Sequence, residues 1–152
     1  MPNLLIRDNN GFIPFVKNYD GDYLNFIDVA LSSLGNTEEF DEELFALITA
    51  ISGSGPAWFY ELSNQLVNSA TKLGMNENDA TNLIKGLIKA LPNLINEEDT
   101  FDELVNKVKS PKGTTEAGLN SLNVDNFDKI IFNAVQQATN RSIEISTELK
   151  NE

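Results

Sequence analysis

A chain of 152 residues has the length of one ordinary domain. Its 23 acidic and 11 basic residues give a formal net charge of −12, which disfavours nucleic acid and anionic membrane surfaces as partners. Cysteine and histidine are both absent, which excludes disulfides, thiolate and Ser–His–Asp nucleophiles, zinc–cysteine sites and the commonest transition-metal ligand; no metal site is expected.

In chain order, Gly11 to Val16 reads as a short strand, and Pro14 suits it to an edge or a strand end. Asp20-Gly21-Asp22 looks like a helix start; Leu24, Ile27, Leu31 and Leu34 follow at three- and four-residue spacing, and Gly35 closes the helix. Asn36 to Phe40 is a candidate second strand. From Asp41 the pattern is helical. Leu44, Phe45, Leu47, Ile48 and Ile51 are apolar nearly all round and predict a well-buried helix. It breaks at Ser52-Gly53-Ser54-Gly55-Pro56, where Ser54 is a candidate N-cap and the proline fits the first turn of the next helix.

That helix carries Phe59, Leu62, Leu66, Ala70 and Leu73 on one face, and Gly74 ends it. Asn76 is suited to cap the following helix, with Asp79 near its positive end. Its apolar stripe runs from Ala80 to Ile95, and Pro92 inside the stripe predicts a kink. Thr100 and Glu103 spell a capping box for a short helix with Leu104, Val105 and Val108. After the break Ser110-Pro111-Lys112-Gly113-Thr114-Thr115 come a brief helix (Ala117, Leu119, Leu122) and a last one from Asp125 to Ile145, with Thr147 to Glu152 expected to fray. The expectation is a mainly α fold: residues 1–40 as a short αβ segment, residues 41–152 as a helical domain. The stripes are broader than one core needs, which points to burial against a second copy.

No apolar run approaches the roughly 20 residues that span a bilayer, and the N-terminal residues carry no basic stretch ahead of an apolar one. The expected location is cytoplasmic. G-x-G-x-x-G, Walker A and G-x-S-x-G patterns are all absent. The acidic runs Glu38 to Glu43 and Glu97 to Asp99 read as solvated helix-start residues, and Trp58 and Phe59 as core or interface.

Two loops remain as candidates for chemistry. Each reads as a simple turn and cap, or as a binding element. In Ser52-Gly53-Ser54-Gly55-Pro56 two glycines permit close approach of a ligand to backbone, and N–H groups at a helix start can donate to it. In Ser110-Pro111-Lys112-Gly113-Thr114-Thr115 the N–H groups of Gly113, Thr114 and Thr115 precede a helix, a place that favours a carboxylate or phosphate. Ser110, Thr114 and Thr115 add hydroxyls, and Lys112 adds positive charge.

Taken together and in order, Ser52-Gly53-Ser54-Gly55-Pro56-Ala57-Trp58 and Ser110-Pro111-Lys112-Gly113-Thr114-Thr115-Glu116-Ala117-Gly118-Leu119 resemble the C-terminal part of pyrroline-5-carboxylate reductase. The likeness extends to Met1-Pro2-Asn3, Leu34-Gly35, Leu73-Gly74 and the stretch Asn133 to Ser142. It implies a helical dimerisation domain preceded by the tail of a Rossmann-like domain, and self-association into a dimer or larger homo-oligomer. It also implies NAD(P)H-dependent reduction of 1-pyrroline-5-carboxylate to L-proline. By the same resemblance Ser110, Gly113, Thr114 and Thr115 hold the substrate carboxylate, and the Thr115 hydroxyl contacts the ring nitrogen as the catalytic contact. Asn3, Ser52, Gly53, Ser54 and Gly55 fall on the cofactor side.

Several positions depart from the family pattern. Leu4-Leu5 replaces Thr-Pro after Met1-Pro2-Asn3, and Lys112 stands where Ser-Pro-Gly-Gly-Thr-Thr has its first glycine. If that glycine has φ > 0, the turn is altered. Lys109 replaces a small residue, and Glu116 an apolar one; a carboxylate beside an anion site is unfavourable unless it points away. The dinucleotide fingerprint is not among these residues, so the chain is expected to bind no NAD(P)H and to be inactive alone, completed by a Rossmann chain if one exists. The competing reading is a non-catalytic acidic helical dimerisation or interaction module.

Overall fold

The computed structural model describes residues 11–17, 29–96 and 98–151. Two strands come first, β1 (Gly11–Phe15) and β2 (Gly35–Glu39). A 3-10 turn (Glu42–Leu44), α1 (Phe45–Ile48) and a π-helical turn (Thr49–Gly53) lead into α2 (Gly55–Lys72). Then follow α3 (Glu77–Ala90), a 3-10 turn (Leu91–Leu94), α4 (Phe101–Val108), α5 (Thr114–Val124) and α6 (Phe127–Lys150). The mainly helical fold with a small αβ segment in front is the one expected. The chain divides into two units, Met1–Trp58 with Ile131–Glu152, and Phe59–Ile130.

In the first unit β1 and β2 run parallel, with Gly11 opposite Gly35 and Phe15 opposite Glu39. Parallel strands need a crossover. Residues 29–32 of it are helical; the predicted start at Asp20 to Asp22 lies outside the described residues. Gly35 opens β2 at φ +149°, and a Cβ there would fall on the carbonyl oxygen of Gly11, so only glycine lets the strands meet this closely. Ile13 and Pro14 are fully buried, and the Phe12 ring meets Phe40 edge-on at 6.3 Å.

The segment expected to be one well-buried helix is different. It passes from 3-10 to α to π geometry within twelve residues, 42–53, so no single face is maintained along it. Ala50 is buried, whereas Leu44 is 44% exposed and Ile51 53% exposed. The rest of the described chain leaves those two side chains uncovered.

The helix ends follow local chemistry. After α2, the Met75 N–H donates to the Ala70 carbonyl and the Gly74 N–H to Thr71, with Gly74 at φ +102°; this is a Schellman closure. Asn76 caps α3, its side chain accepting the Asn78 N–H at 2.9 Å. Pro92 does not kink α3 as expected. The α-helix stops at Ala90, and the proline, lacking an N–H, sits in the 3-10 turn that follows. The Thr100–Glu103 capping box forms as read, with the Thr100 N–H donating to the Glu103 carboxylate at 2.7 Å.

The last helix starts two residues later than expected. Asn126, at φ +56°, forms the turn ahead of Phe127. The helix continues through Lys150, and Arg141 reaches Glu144 at 2.9 Å and Glu148 at 3.0 Å along it. The helices leave much apolar surface uncovered within the chain: Phe59 is 73% exposed, Phe101 78% and Phe132 62%.

Candidate functional site

The two loops fall in different units. In Ser52 to Pro56 the chain does not open into a loop with a capped helix start. Ser52 and Gly53 complete the π turn, and Ser54 stays in right-handed helical geometry at φ −91°, ψ −21°. A capping residue would be extended, so the expected Ser54 cap is not formed. The Ser54 N–H donates to the Ile51 carbonyl, and the Ser54 carbonyl accepts from Ala57 at 3.0 Å and Trp58 at 3.4 Å. Pro56 has no N–H to offer. The fan of open amides read from the sequence is therefore largely consumed inside the backbone. What the segment presents is the bare, exposed backbone of Gly53; Gly55 is buried. Asn3, grouped with these residues, lies outside the described residues.

The second loop is built differently. The Gly113 N–H donates to the Ser110 carbonyl at 3.0 Å across Pro111 and Lys112, and Lys112 has φ +60°. Proline second and a positive φ third make a type II turn. Lysine thus adopts the left-handed conformation that glycine takes most readily, and the turn survives the replacement. Gly113 follows as the N-cap of α5, extended at φ −89°, ψ 175°. A Cβ there would displace the Ser110 hydroxyl, which can rotate away, and would sit tightly against the Ser110 carbonyl oxygen at 3.0 Å.

Of the three amides expected to face an anion, that of Gly113 is already engaged by Ser110. Those of Thr114 and Thr115 lie in the first turn of α5, where no helical carbonyl can reach them. Thr114 is exposed and Thr115 half-buried. Lys112 is exposed beside them and adds positive charge.

Glu116 is the residue the sequence reading undervalued. It does not point away from the loop. Its carboxylate accepts the Lys112 N–H at 2.7 Å and stands 3.4 Å from the Lys109 ammonium. The Lys112 N–H first, and Lys109 second, hold its pKa below the usual glutamate range. Two of the unusual residues, Lys109 and Lys112, thus compensate the third. The signal was present in the sequence as a glutamate at the third helical position, where it can bond back ahead of the helix.

The acidic stretches hold no metal cluster among the described residues. Asp99 is paired with Lys107 at 2.6 Å, and that bond, then Asn96, keeps its pKa low. Among the described residues no helix is long and apolar enough to cross a membrane.

Comparison with known proteins matches residues 42–145 to the family described as pyrroline-5-carboxylate reductase dimerisation. The pyrroline-5-carboxylate reductase of Staphylococcus epidermidis is 33% identical over 135 residues, covering 88% of this chain and 50% of that protein. The solved pyrroline-5-carboxylate reductase of Coxiella burnetii superposes with a TM-score of 0.83 at 27% identity, over 95% of this chain and 55% of that one. The Plasmodium falciparum pyrroline carboxylate reductase, solved with NADP bound, gives a TM-score of 0.78 at 29% identity, over 93% of this chain and 59% of that one. The chain thus spans about half the length of the relatives it matches.

Proposed function

The chain belongs to the pyrroline-5-carboxylate reductase dimerisation family, and we propose that it serves the NAD(P)H-dependent reduction of 1-pyrroline-5-carboxylate to L-proline by providing the self-association surface and the substrate loop. The observation that carries this reading is the start of α5. There the amides of Thr114 and Thr115 are left over by the helix, behind a type II turn that fixes where they point. The Thr114 and Thr115 amides receive the substrate carboxylate, supported by the charge of Lys112. The Thr115 hydroxyl contacts the ring nitrogen, and Ser110 and Gly113 shape the turn. Orientation is the contribution of these residues to the reaction.

The described residues do not fit a dinucleotide. No glycine-rich cradle is present, and the Ser54 amide is spent within the π-to-α junction. Ser52, Gly53, Ser54, Gly55 and Asn3 are proposed only to border the cofactor. Its binding is assigned to a Rossmann-like segment or a separate chain; in this chain residues 1–40 are proposed as the tail of a Rossmann-like domain and residues 41–152 as the helical domain. The parallel strand pair supports that assignment. These 152 residues alone are expected neither to bind NADPH nor to oxidise it.

Homodimerisation, or a larger ring, is proposed through α2, α3 and α6. Leaving Phe59, Leu62, Leu87 and Phe132 in water is unfavourable at roughly 25 cal/mol per Å². The proposed location is cytoplasmic. NMR titration with L-proline tests the loop: shifts gathered on Gly113 to Thr115 support it, and shifts on Trp58 or Asp99 with the loop silent reject it. Binding is expected to be weaker than about 1 mM, or less than ~4 kcal/mol, because the site faces water in the isolated chain.

One observation favours a second reading, a non-catalytic acidic dimerisation module: the Lys112 and Gly113 amides are already bonded within the loop. Sedimentation equilibrium showing a dimer, with no response to L-proline, selects it.

A further inference from the structure

We propose that Glu116 is the positioning residue of the Ser110–Thr115 loop: by holding the Lys112 N–H and the Lys109 ammonium it keeps Lys112 left-handed and fixes the direction of the Thr114 and Thr115 amides. The part that concerns substrate rests on the reading of this loop as the carboxylate site; the part that concerns the turn does not.

Three features carry the proposal. Lys112 sits at φ +60°, a conformation that a residue with a Cβ disfavours and that needs support from its surroundings. The support comes from Glu116, whose Oε2 accepts the Lys112 N–H at 2.7 Å from the first turn of α5. That bond ties the turn to the helix, so the two move as one body. The other carboxylate oxygen faces the Lys109 ammonium at 3.4 Å, which anchors the loop from its upstream side. The Gly113 N–H is pinned to Ser110 as well. The Lys112 and Gly113 amides are thus tied back and Pro111 has none, which leaves those of Thr114 and Thr115 open at the start of α5.

The geometry separates Glu116 from its substitutes. Glutamine at 116 can still accept the Lys112 N–H through its amide oxygen but gives up the charge that Lys109 answers. Alanine gives up both. Glycine at 112 accepts φ > 0 without help, so it removes the need for Glu116 at that position.

The test is amide hydrogen exchange and 15N NMR on the full chain. In Glu116→Ala the Lys112 amide is expected to exchange at least about tenfold faster, with the Thr114 and Thr115 resonances displaced and those of α2 and α3 in place. Glu116→Gln should fall between that variant and the wild type. Adding Lys112→Gly to Glu116→Ala should return Thr114 and Thr115 towards their wild-type positions. Equal Lys112 exchange in wild type and Glu116→Ala, or no rescue by Lys112→Gly, overturns the proposal. L-proline titration of the same samples separates the two levels. A weaker Kd in Glu116→Ala, recovered with Lys112→Gly, supports positioning at the site, and an unchanged Kd overturns it. If L-proline moves no resonance in any variant while Lys112 responds as stated, the carboxylate reading fails and the positioning of the turn stands.

Discussion

Ser52 to Pro56 and Ser110 to Thr115 draw on the same few residue types and fold in opposite ways. In the first, glycine precedes proline. A residue ahead of proline is pushed out of helical geometry by a clash at its Cβ, and Gly55 has none, so α2 can begin on it directly from the π turn. In the second, proline comes first. Pro111 fixes φ near −65°, the residue after it turns left-handed, and the chain reverses before α5 starts. Composition marks both places as breaks. The order of proline and glycine decides whether the amides are spent in a helix or left for a ligand.

The largest expected effect that sharpens this contrast is at Gly113. Gly113→Val displaces the Ser110 hydroxyl, presses on its carbonyl oxygen and puts a poor N-cap ahead of α5, and should cost about 1–2 kcal/mol by urea denaturation. Next, Lys112→Gly should raise stability by about 0.5–1 kcal/mol, since glycine relieves the left-handed conformation and gives back part of the gain in chain entropy. A loss instead would mean that the lysine side chain holds the turn.

The first segment should respond more mildly. Space is open at Gly55, yet Gly55→Ala alone should change stability by less than about 0.5 kcal/mol, because the clash with Pro56 offsets the better helix former. With Pro56→Ala added, a gain of about 0.5 kcal/mol should appear. A clear gain from Gly55→Ala by itself would break the argument from proline order.

The smallest effect is in pH. Glu116 has a depressed pKa in the folded chain, so its contribution is present above the ordinary glutamate range and is lost as pH falls through the lower, folded value. The Lys112 amide resonance should follow that step, with a midpoint below that of an ordinary glutamate, and the step should vanish in Glu116→Gln. Amides of residues 52–55 should show no matching transition.

The parts of the fold that were legible in the sequence are those fixed by neighbours within four residues. They include the Thr100–Glu103 box, the Asn76 cap and the close of α2 at Gly74; β1 was read instead from its own run of apolar residues. The π turn was not legible, because one extra residue in a helical turn leaves the apolar pattern nearly intact while shifting every later bond. Burial at Leu44 and Ile51 was overestimated, since hydrophobicity states a preference for cover without stating that the same chain supplies it. At the candidate site, the helix start and the two threonines could be read directly. The bond from Glu116 to Lys112 could not, because charge alone suggested that a carboxylate there would turn outward.

The parallel pairing of β1 with β2 also sets an order in time. The bonds that cap α3 and α4 close over two or three residues and form as fast as the chain samples them. No bond between the strands can form until the whole crossover has brought Gly35 back to Gly11, and that closure entropy is met before any pairing rewards it. In a refolding chain the strand pair is thus expected to form after those caps. On a ribosome the order changes: both strands emerge ahead of α1 to α6, so the pair can close while those helices are still being made.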